Sequence, residues 1–439
     1  MLDWNFLNGT IIKKKYRQFE SDKVLKWNGW GYADSYFKLD HEGDVVMMGD
    51  RYEACGHKMP YFRPWFEEHL GVDLDYMTPS QRIGDMEIPP PIENDEIYDE
   101  LVRADISFSN EPRMRLMRGH GHTVHDIINL RHGKFSRLPD LVVWPRTEQE
   151  VMKIIDLAMS TNCAIIPIGG GTSVSSALEC PVTEQRAVIS MDMAMMDKII
   201  WIDKENLTCR AQAGIIGQSL ESQLNSKGFT CGHEPDSIEF STLGGWVSTR
   251  ASGMKKNKCH ASLVDPISIM SSWAQKERWV TIKIFPLPEV KRYGSLVFPD
   301  FNHGVEFFRE VARQRIQPAS LRLMDNVQFI MGQALRLAVN SYWASLKHSL
   351  GRMYLTKWRG FHVDEMCAAT CVFEGTADEV YNEEKKLYAL AEKYDGVAEL
   401  DPANIFANAN LIDIIGSPHI TYSNYIPGFG NSLGKGNGY

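Results

Sequence analysis

Apolar residues in the middle of the chain recur with two different spacings, which predict a strand, a helix and a second strand. The run LVVWP from Leu141 is a short apolar strand, and Thr147 followed by Glu150 has the spacing of a helix capping box. The helix after it carries apolar residues at i, i+3, i+4 and i+7, namely Val151, Ile154, Ile155 and Ala158. A second apolar strand runs from Cys163 to Ile168. Ligands commonly lie at the carboxyl ends of strands in such layers.

Further strands and helices continue this pattern toward the C-terminus. They comprise strands at 187–193, 198–203 and 207–213, a short helix that stops at Gly228, the strands TIKIF and GSLVF from about Val280, a helix at about 302–315, the strand SLRLMD, a helix after Asn326, the strand Cys367–Gly375 and a long helix capped by Thr376 and Glu379. Strands that alternate with covering helices predict an α+β fold class.

The pattern divides the chain into five segments. Residues 1–112 are rich in Trp, Tyr, Pro and charge and have little periodicity, so we expect an N-terminal wrapping extension. A first α+β unit covers 113–279 and a second covers 280–400. A short C-terminal segment at 401–416 precedes a tail at 417–439, whose Gly, Ser, Asn and Tyr content predicts disorder.

Composition narrows the classes of protein to which the chain can belong. Its 439 residues are 44% hydrophobic and 23% charged, with a formal net charge of -9, so nothing favours a nucleic-acid partner. The eight cysteines are scattered singly, which is typical of a reducing compartment. Neither a long apolar run nor a secretory leader is found, and the C-terminal GKGNGY is not a peroxisomal address of the serine-lysine-leucine type. We expect a soluble or peripheral protein.

The stretch PIGGGTSVS, Pro167 to Ser175, is the first candidate for chemistry. Three consecutive glycines directly after an apolar strand can take positive φ and let backbone N–H groups approach an anion closely. Thr172 and Ser173 add hydroxyl donors. The stretch matches neither GxGxxG nor GxxxxGK[ST], so it favours a phosphate site of another kind, with an ordinary glycine turn as the alternative.

A second segment, HEPDSIEFSTLGGWVSTRASGMKKN from His233 to Asn257, is dense in glycine, serine and threonine. Such residues permit a backbone to lie close against a flat or phosphorylated ligand, although a glycine-rich connector would have the same composition. Two such segments in one unit indicate a large cofactor in preference to a lone phosphate.

Three other features carry weaker chemical signals. His122 and His125 have the spacing of one helix face, with His120 nearby, but no carboxylate or cysteine set accompanies them, so we predict structural histidines and no metal site. Cys367 and Cys371 are interpreted as core residues. Arg322, a cation in the apolar strand SLRLMD, needs an anion, which is either a substrate phosphate or carboxylate or a structural carboxylate such as Asp325.

In both glycine-rich segments, the chain resembles the alkyldihydroxyacetonephosphate synthases, which are also called alkylglycerone-phosphate synthases. These enzymes belong to the vanillyl-alcohol-oxidase type flavoprotein family. The segments VLKWNGWGYADS and PASLRLMDN, at 24–35 and 318–326, match that group as well, and the resemblance covers about 16–411. It implies an FAD-binding α+β domain and a cap domain over the flavin ring. The implied FAD contacts are Pro167, Ile168, Gly169, Gly170, Gly171, Thr172, Ser173, Asp236, Ser237, Ile238, Glu239, Phe240, Ser241, Thr242, Ser248, Thr249, Arg250 and Ala251.

The resemblance also implies an activity and a cellular setting. The implied reaction exchanges the acyl group of acyl-dihydroxyacetone phosphate for a long-chain fatty alcohol, and it uses FAD without net redox. This step makes the ether bond of ether lipids. The implied partners are lipid substrates, a membrane surface contacted peripherally and a second copy in a homodimer, and the implied location is the peroxisome.

Two departures from the family pattern bear on activity. An apparent internal deletion near 258–279 removes a GSEGTLG-like flavin contact, and 390–396 runs almost directly into 401–411, so the cap domain is incomplete. The second departure removes the catalytic tyrosine and the adjacent histidines that the family carries, so no residue of this chain is assigned a catalytic role. A catalytically incomplete chain that binds FAD, a partner subunit or a membrane is the alternative function, and an FAD-dependent hydroxy-acid oxidase is a weaker one.

Overall fold

A computed structural model describes residues 3–7, 10–15, 20–76, 81–255, 257, 279–338, 351 and 353–398. Its strands are β1 (Asp3–Leu7), β2 (Thr10–Lys15), β3 (Tyr36–Leu39), β4 (Val45–Met48), β5 (Lys58–Met59), β6 (Ser107–Ser109), β7 (Leu141–Trp144), β8 (Ala164–Ile168), β9 (Val188–Asp192), β10 (Ile199–Asp203), β11 (Thr208–Gln212), β12 (Phe229–Thr230), β13 (Trp279–Lys283), β14 (Phe285–Pro286), β15 (Val290–Phe298), β16 (Ser320–Met324), β17 (Cys367–Gly375) and β18 (Val397–Ala398).

Helices cover these strands. They are α1 (Glu20–Val24), α2 (Phe62–Leu70), α3 (Asp95–Arg103), α4 (Pro112–Met117), α5 (Val124–His132), α6 (Glu148–Ser160), α7 (Gly217–Asn225), α8 (Leu243–Thr249), α9 (Phe301–Gln314), α10 (Asn326–Ala334) and α11 (Ala377–Glu392), with a π-helical turn at Tyr354–Trp358. The predicted α+β class is confirmed. In the described part of the chain, no helix combines the length and the apolar character that crossing a membrane requires.

The largest sheet has the strand order β1-β2-β6-β7-β9-β8, and its last three strands are parallel. The predicted strand-helix-strand unit is confirmed, since α6 connects β7 to β8 and buries Val151, Ile154 and Ala158 against the sheet. The predicted capping box is only half formed. Thr147 accepts from the Glu150 N–H, but the Glu150 carboxylate accepts from the Arg146 N–H at 2.6 Å because the chain turns toward it.

A second sheet, β10-β11-β13, corrects the expected start of the second unit at Val280. The strand β13 pairs antiparallel with β11, and Ile282 and Ile284 lie in the same apolar cluster as Cys209 and Ala211. The TIKIF segment therefore extends the first unit, and the second unit begins after Pro286. The alternation that places Cys209 and Ala211 on a buried face is confirmed.

The second unit is built on the four-stranded sheet β16-β17-β15-β18, which α9 and α11 cover. Cys367 and Cys371 of β17 are fully buried, which confirms that they are core residues. The helix α11 begins with a complete capping box, as predicted, in which Thr376 and Glu379 each accept an N–H from the other.

The N-terminal region has more regular structure than its sequence pattern indicates. Strands β3, β4 and β5 form a sheet of their own, and α2 packs over it with the aromatic residues Phe62, Trp65 and Phe66. This cluster also contains Phe240 of the first unit and Leu335 near α10. Residues 24–74 thus join the two larger units. Predicted features at 258–278, 401–416 and 417–439 lie outside the described residues.

Candidate functional site

The glycine loop follows the end of β8 and lies directly against the second glycine-rich segment. A Cβ atom at Gly169 would lie 2.0 Å from Thr242 Oγ1, and one at Gly170 would lie 1.9 Å from the Phe240 carbonyl oxygen. Real Cβ atoms do not approach other atoms so closely, so only glycine permits this packing. The structure therefore brings together the two segments that the sequence predicts for one cofactor.

The loop also presents donors that the protein itself does not use. The backbone N–H groups of Gly170, Gly171 and Thr172 donate no hydrogen bond to another described residue, and the Thr172 hydroxyl makes none there either. Gly171 has a φ of 70°, which turns the chain sharply. Free N–H groups on a turn of this kind form an anion-binding concavity, so the residues present fit a pyrophosphate.

The sequence analysis missed a further segment that contacts the glycine loop, at Gly121 and His122. His122 donates its backbone N–H to the Ser173 carbonyl at 2.7 Å, and a Cβ at Gly121 would lie 2.3 Å from the same oxygen. His120 is buried, and its Nδ1 bonds to the Gly121 carbonyl at 2.6 Å, so the tautomer assigned by this bond leaves a lone pair on Nε2. That Nε2 has no hydrogen-bond partner among the described residues. Burial lowers the pKa of His120, so the ring is neutral at physiological pH.

These histidines do not form the helix-face pair that their spacing suggests. Thr123 is the N-cap of α5, so His122 precedes the helix, whereas His125 lies on it and is exposed. The sequence signal for this contact was the GHGH stretch at 119–122, because its glycines permit the backbone to pack closely against the glycine loop. The structural role of these histidines stays a prediction.

The second segment is held by hydrogen bonds to its own backbone. The N–H groups of Phe240 and Ser241 both donate to the Ser237 carbonyl, at 2.9 and 2.7 Å, and Ser237 has a φ of 55°. Ser241 Oγ accepts from Trp246 Nε1 at 2.8 Å and donates to the Asp236 carbonyl, so its side chain is used within the protein. Thr242 accepts from the Gly245 N–H and begins α8.

The last predicted contacts, Ser248 to Ala251, lie at the far end of α8. A helix of this length spans about 10 Å, so these residues are separated from the glycine loop by roughly the extent of the helix. Arg250 has a φ of 51° and ends the helix, and the Ala251 N–H donates to the Trp246 carbonyl at 2.9 Å. Only an extended cofactor could contact both the glycine loop and the residues at the C-terminal end of α8.

The N-terminal unit supports the second segment from its outer side. Trp30 Nε1 donates to Ser237 Oγ at 3.0 Å, and the Tyr52 hydroxyl donates to Glu239 Oε1 at 3.3 Å. Phe240 packs against Trp30 and Tyr32. Burial raises the pKa of Glu239, although the bond from Tyr52 opposes the shift.

A buried ion cluster connects the second glycine-rich segment to the second unit. Lys255 is 5% exposed, and its Nζ lies 2.5 Å from Glu234 Oε1 and 2.7 Å from Glu374 Oε1 of β17. Burial opposes its charge, but the two carboxylates outweigh that effect and raise the pKa of Lys255. The cation therefore bridges the two units.

Arg322 lies half-buried on the edge strand β16 of the second unit. Its pairing with a substrate anion or with a structural carboxylate such as Asp325 stays a prediction. The Asp325 carboxylate caps α10 by accepting the Gln328 N–H at 2.8 Å. Among the described residues, no contact joins Arg322 to the glycine loop.

Comparisons with known proteins agree with this geometry. A family described as the FAD binding domain matches residues 139–267, and one described as the C-terminal domain of FAD linked oxidases matches residues 287–409. The first match contains both the glycine loop and the second segment, so FAD is the cofactor.

Individual relatives narrow the family. The alkyldihydroxyacetonephosphate synthase of Caenorhabditis elegans is 62% identical over 88% of this chain and 69% of its own length, and that of Dictyostelium discoideum is 27% identical over 83% and 66%. A solved structure of an alkyldihydroxyacetonephosphate synthase superposes with a TM-score of 0.79 at 25% identity and covers 92% of this chain and 78% of its own. The chain spans about two thirds of the length of these curated relatives. From its sequence and its fold, it belongs to the alkyldihydroxyacetonephosphate synthase family of FAD-binding proteins.

Proposed function

We propose that the protein exchanges the acyl group of acyl-dihydroxyacetone phosphate for a long-chain fatty alcohol, the step that forms the ether bond of ether lipids. The observation that carries the proposal is the contact between the glycine loop and the segment 236–242, in a chain 62% identical to a synthase. When bound, the flavin supplies a reactive ring nitrogen for an exchange without net redox.

The free N–H groups of Gly170, Gly171 and Thr172 would hold the FAD pyrophosphate, because they converge on one concave turn and have no partner in the described chain. The backbone of 236–242 and the residues 248–251 would follow the rest of the cofactor along α8. Ser241 takes part through its backbone, since its hydroxyl is already bonded at both positions.

Arg322 would bind the phosphate or carboxylate of the substrate. Its strand β16 belongs to the second unit, which the resemblance identifies as the cap over the flavin. Guanidinium groups match phosphate oxygens in pairs, which orients a substrate as well as attracting it.

A membrane surface would supply the lipid substrates. The π-helical turn of the second unit exposes Trp358 by 80% and Tyr354 by 39%, beside Lys357 and the 49% exposed Met353. Aromatic and basic side chains together are typical of segments that lie at the interface of a bilayer. The peroxisome is the location proposed for this membrane, in agreement with the family.

A second candidate function is flavin binding without turnover. One ground for it is that the chain covers 69% of the C. elegans synthase. The other is that, by the resemblance, the chain lacks the segment in which the family carries its catalytic tyrosine and adjacent histidines. The purified full chain, supplied with FAD, acyl-dihydroxyacetone phosphate and a fatty alcohol, separates the two. Formation of the alkyl product supports the synthase, whereas retained flavin with no product supports the second candidate.

A further inference from the structure

A small cleft opens in the N-terminal unit. Aromatic and apolar side chains form most of its lining, with one cation: Lys26, Trp30, Gly31, Tyr32, Ser35, Tyr36, Phe37, Met47 and Tyr52. Two of these residues also contact the second glycine-rich segment, because Trp30 donates to Ser237 and Tyr52 donates to Glu239. The cleft therefore backs directly onto the candidate cofactor site.

The amine of Lys26 differs from the other half-buried or paired lysines in having no bonded partner. Among the residues that the structure describes, it makes neither an ion pair nor a side-chain hydrogen bond. The nearest acid, Asp34, is already held by Arg51, whose Nε and Nη2 both lie 2.9 Å from its carboxylate. By contrast, Lys58 pairs with Asp40 and Glu42 at the other edge of the same small sheet.

Aromatic walls around an unpaired ammonium disfavour its charge. Burial lowers the pKa of Lys26 to about 8, with Asp34 opposing the shift. The facing phenols do not compensate, since burial raises the pKa of Tyr32 and of Tyr52 and keeps them neutral. A fraction of the amine is therefore uncharged near neutral pH, and the side chain is only partly buried.

We propose that Lys26 is a modification site, at which the free amine is acylated by acyl thioesters. The amine nitrogen attacks the thioester carbonyl, the C–N bond forms, and the C–S bond breaks with its electron pair leaving on sulfur. The amine proton passes to the thiolate, so the products are an amide and a thiol. Apolar walls lie beside the amine, and no ion pair is lost when the charge disappears.

The test uses the purified full chain and S-acetyl-N-acetylcysteamine, with acetylation at each lysine measured by peptide mass spectrometry over time. We expect Lys26 to be acetylated about tenfold faster than the exposed Lys204 or the ion-paired Lys58 at pH 7.5, with a rate that levels off above pH 8. In concentrated urea the preference should vanish, because it depends on the folded cleft. Acetylation of Lys26 no faster than Lys204 in the folded chain, or a preference that persists in urea, would overturn the proposal.

Discussion

At the scale of single residues, the closest approaches in the molecule explain why the glycine loop has its sequence. Gly170 lies so near the Phe240 carbonyl that any side chain must displace one of the two candidate cofactor segments. Gly84 differs, because a Cβ there meets nothing within 4 Å and its φ is ordinary. The two glycines are therefore a matched pair for mutation.

Gly170→Ala should weaken FAD binding by at least about tenfold, since overpacking at such a contact costs about 1–3 kcal/mol and shifts the N–H groups that hold the phosphates. Titration of apoprotein with FAD, followed by flavin fluorescence, measures the effect. Gly84→Ala should bind FAD like the parent chain. Equal affinity in both variants would show that the loop does not hold the cofactor.

Glu239 should make stability depend on pH. Because its pKa is raised in the folded protein above the ordinary value of 4.5, the stability it contributes is full below 4.5 and is lost as pH rises through the folded pKa. Glu239→Gln should therefore become more stable relative to the parent chain as pH rises from 4.5 toward neutrality.

Urea unfolding at several pH values checks this difference, with Glu68→Gln as the exposed control. Tyr52→Phe should steepen the dependence, because it removes the hydroxyl that donates to the carboxylate. A gap between Glu239→Gln and the parent chain that stays constant with pH would contradict the argument.

At the scale of secondary-structure elements, the two Thr-x-x-Glu motifs show how far sequence predicts local structure. Both begin a helix as predicted, because the threonine caps depend on residues three positions apart. Only Glu379 completes its box, whereas Glu150 bonds to Arg146, whose position depends on the preceding strand. Local spacing predicted the helices, and the tertiary setting decided the detail.

Thr376→Ala should destabilise the second unit by about 1 kcal/mol, because it leaves the Glu379 N–H of a long helix without its cap. Thermal unfolding measures the loss, and Thr183→Ala, at an exposed loop position, serves as the control. An effect no larger than that of the control would mean that the cap contributes nothing measurable to this helix.

Pairing between distant elements is where sequence reasoning failed. The strand β13 looked like the start of a new unit, but its partner β11 lies about 70 residues earlier, and no local pattern reports such a pairing. The sheet of β3, β4 and β5 was missed because its strands are short and alternate only over a few residues. The glycine loop and the segment 236–242 were found because their composition is itself the signal.

At the scale of the whole molecule, a buried ion cluster and an aromatic cluster hold the units together. Lys255 pairs with Glu234 of the first unit and with Glu374 of the second unit. The aromatic cluster around α2 contains both Phe240 of the first unit and Leu335 of the second. The resemblance implies a substrate site between the same units, so their relative position bears directly on the proposed exchange.

Lys255→Met should destabilise the protein by about 3–5 kcal/mol near neutral pH, since it removes the cation nearest to the buried Glu374 carboxylate and to the partly buried Glu234. Lys291→Met is the control, because Lys291 is exposed and lies 3.7 Å from Glu374, and it should cost less than about 1 kcal/mol. Denaturant unfolding of both variants near neutral pH makes the comparison, and equal losses would rule out the bridge.

The proposal is that the glycine loop of this flavoprotein holds FAD. Its most direct test is the flavin content of the purified full chain, measured by visible absorbance after FAD is supplied and excess removed. We predict stoichiometric flavin in the parent chain and in Gly84→Ala, and little in Gly170→Ala. If the folded parent chain retains no flavin, or if the Gly170→Ala variant retains as much flavin as the parent, the glycine loop does not hold FAD.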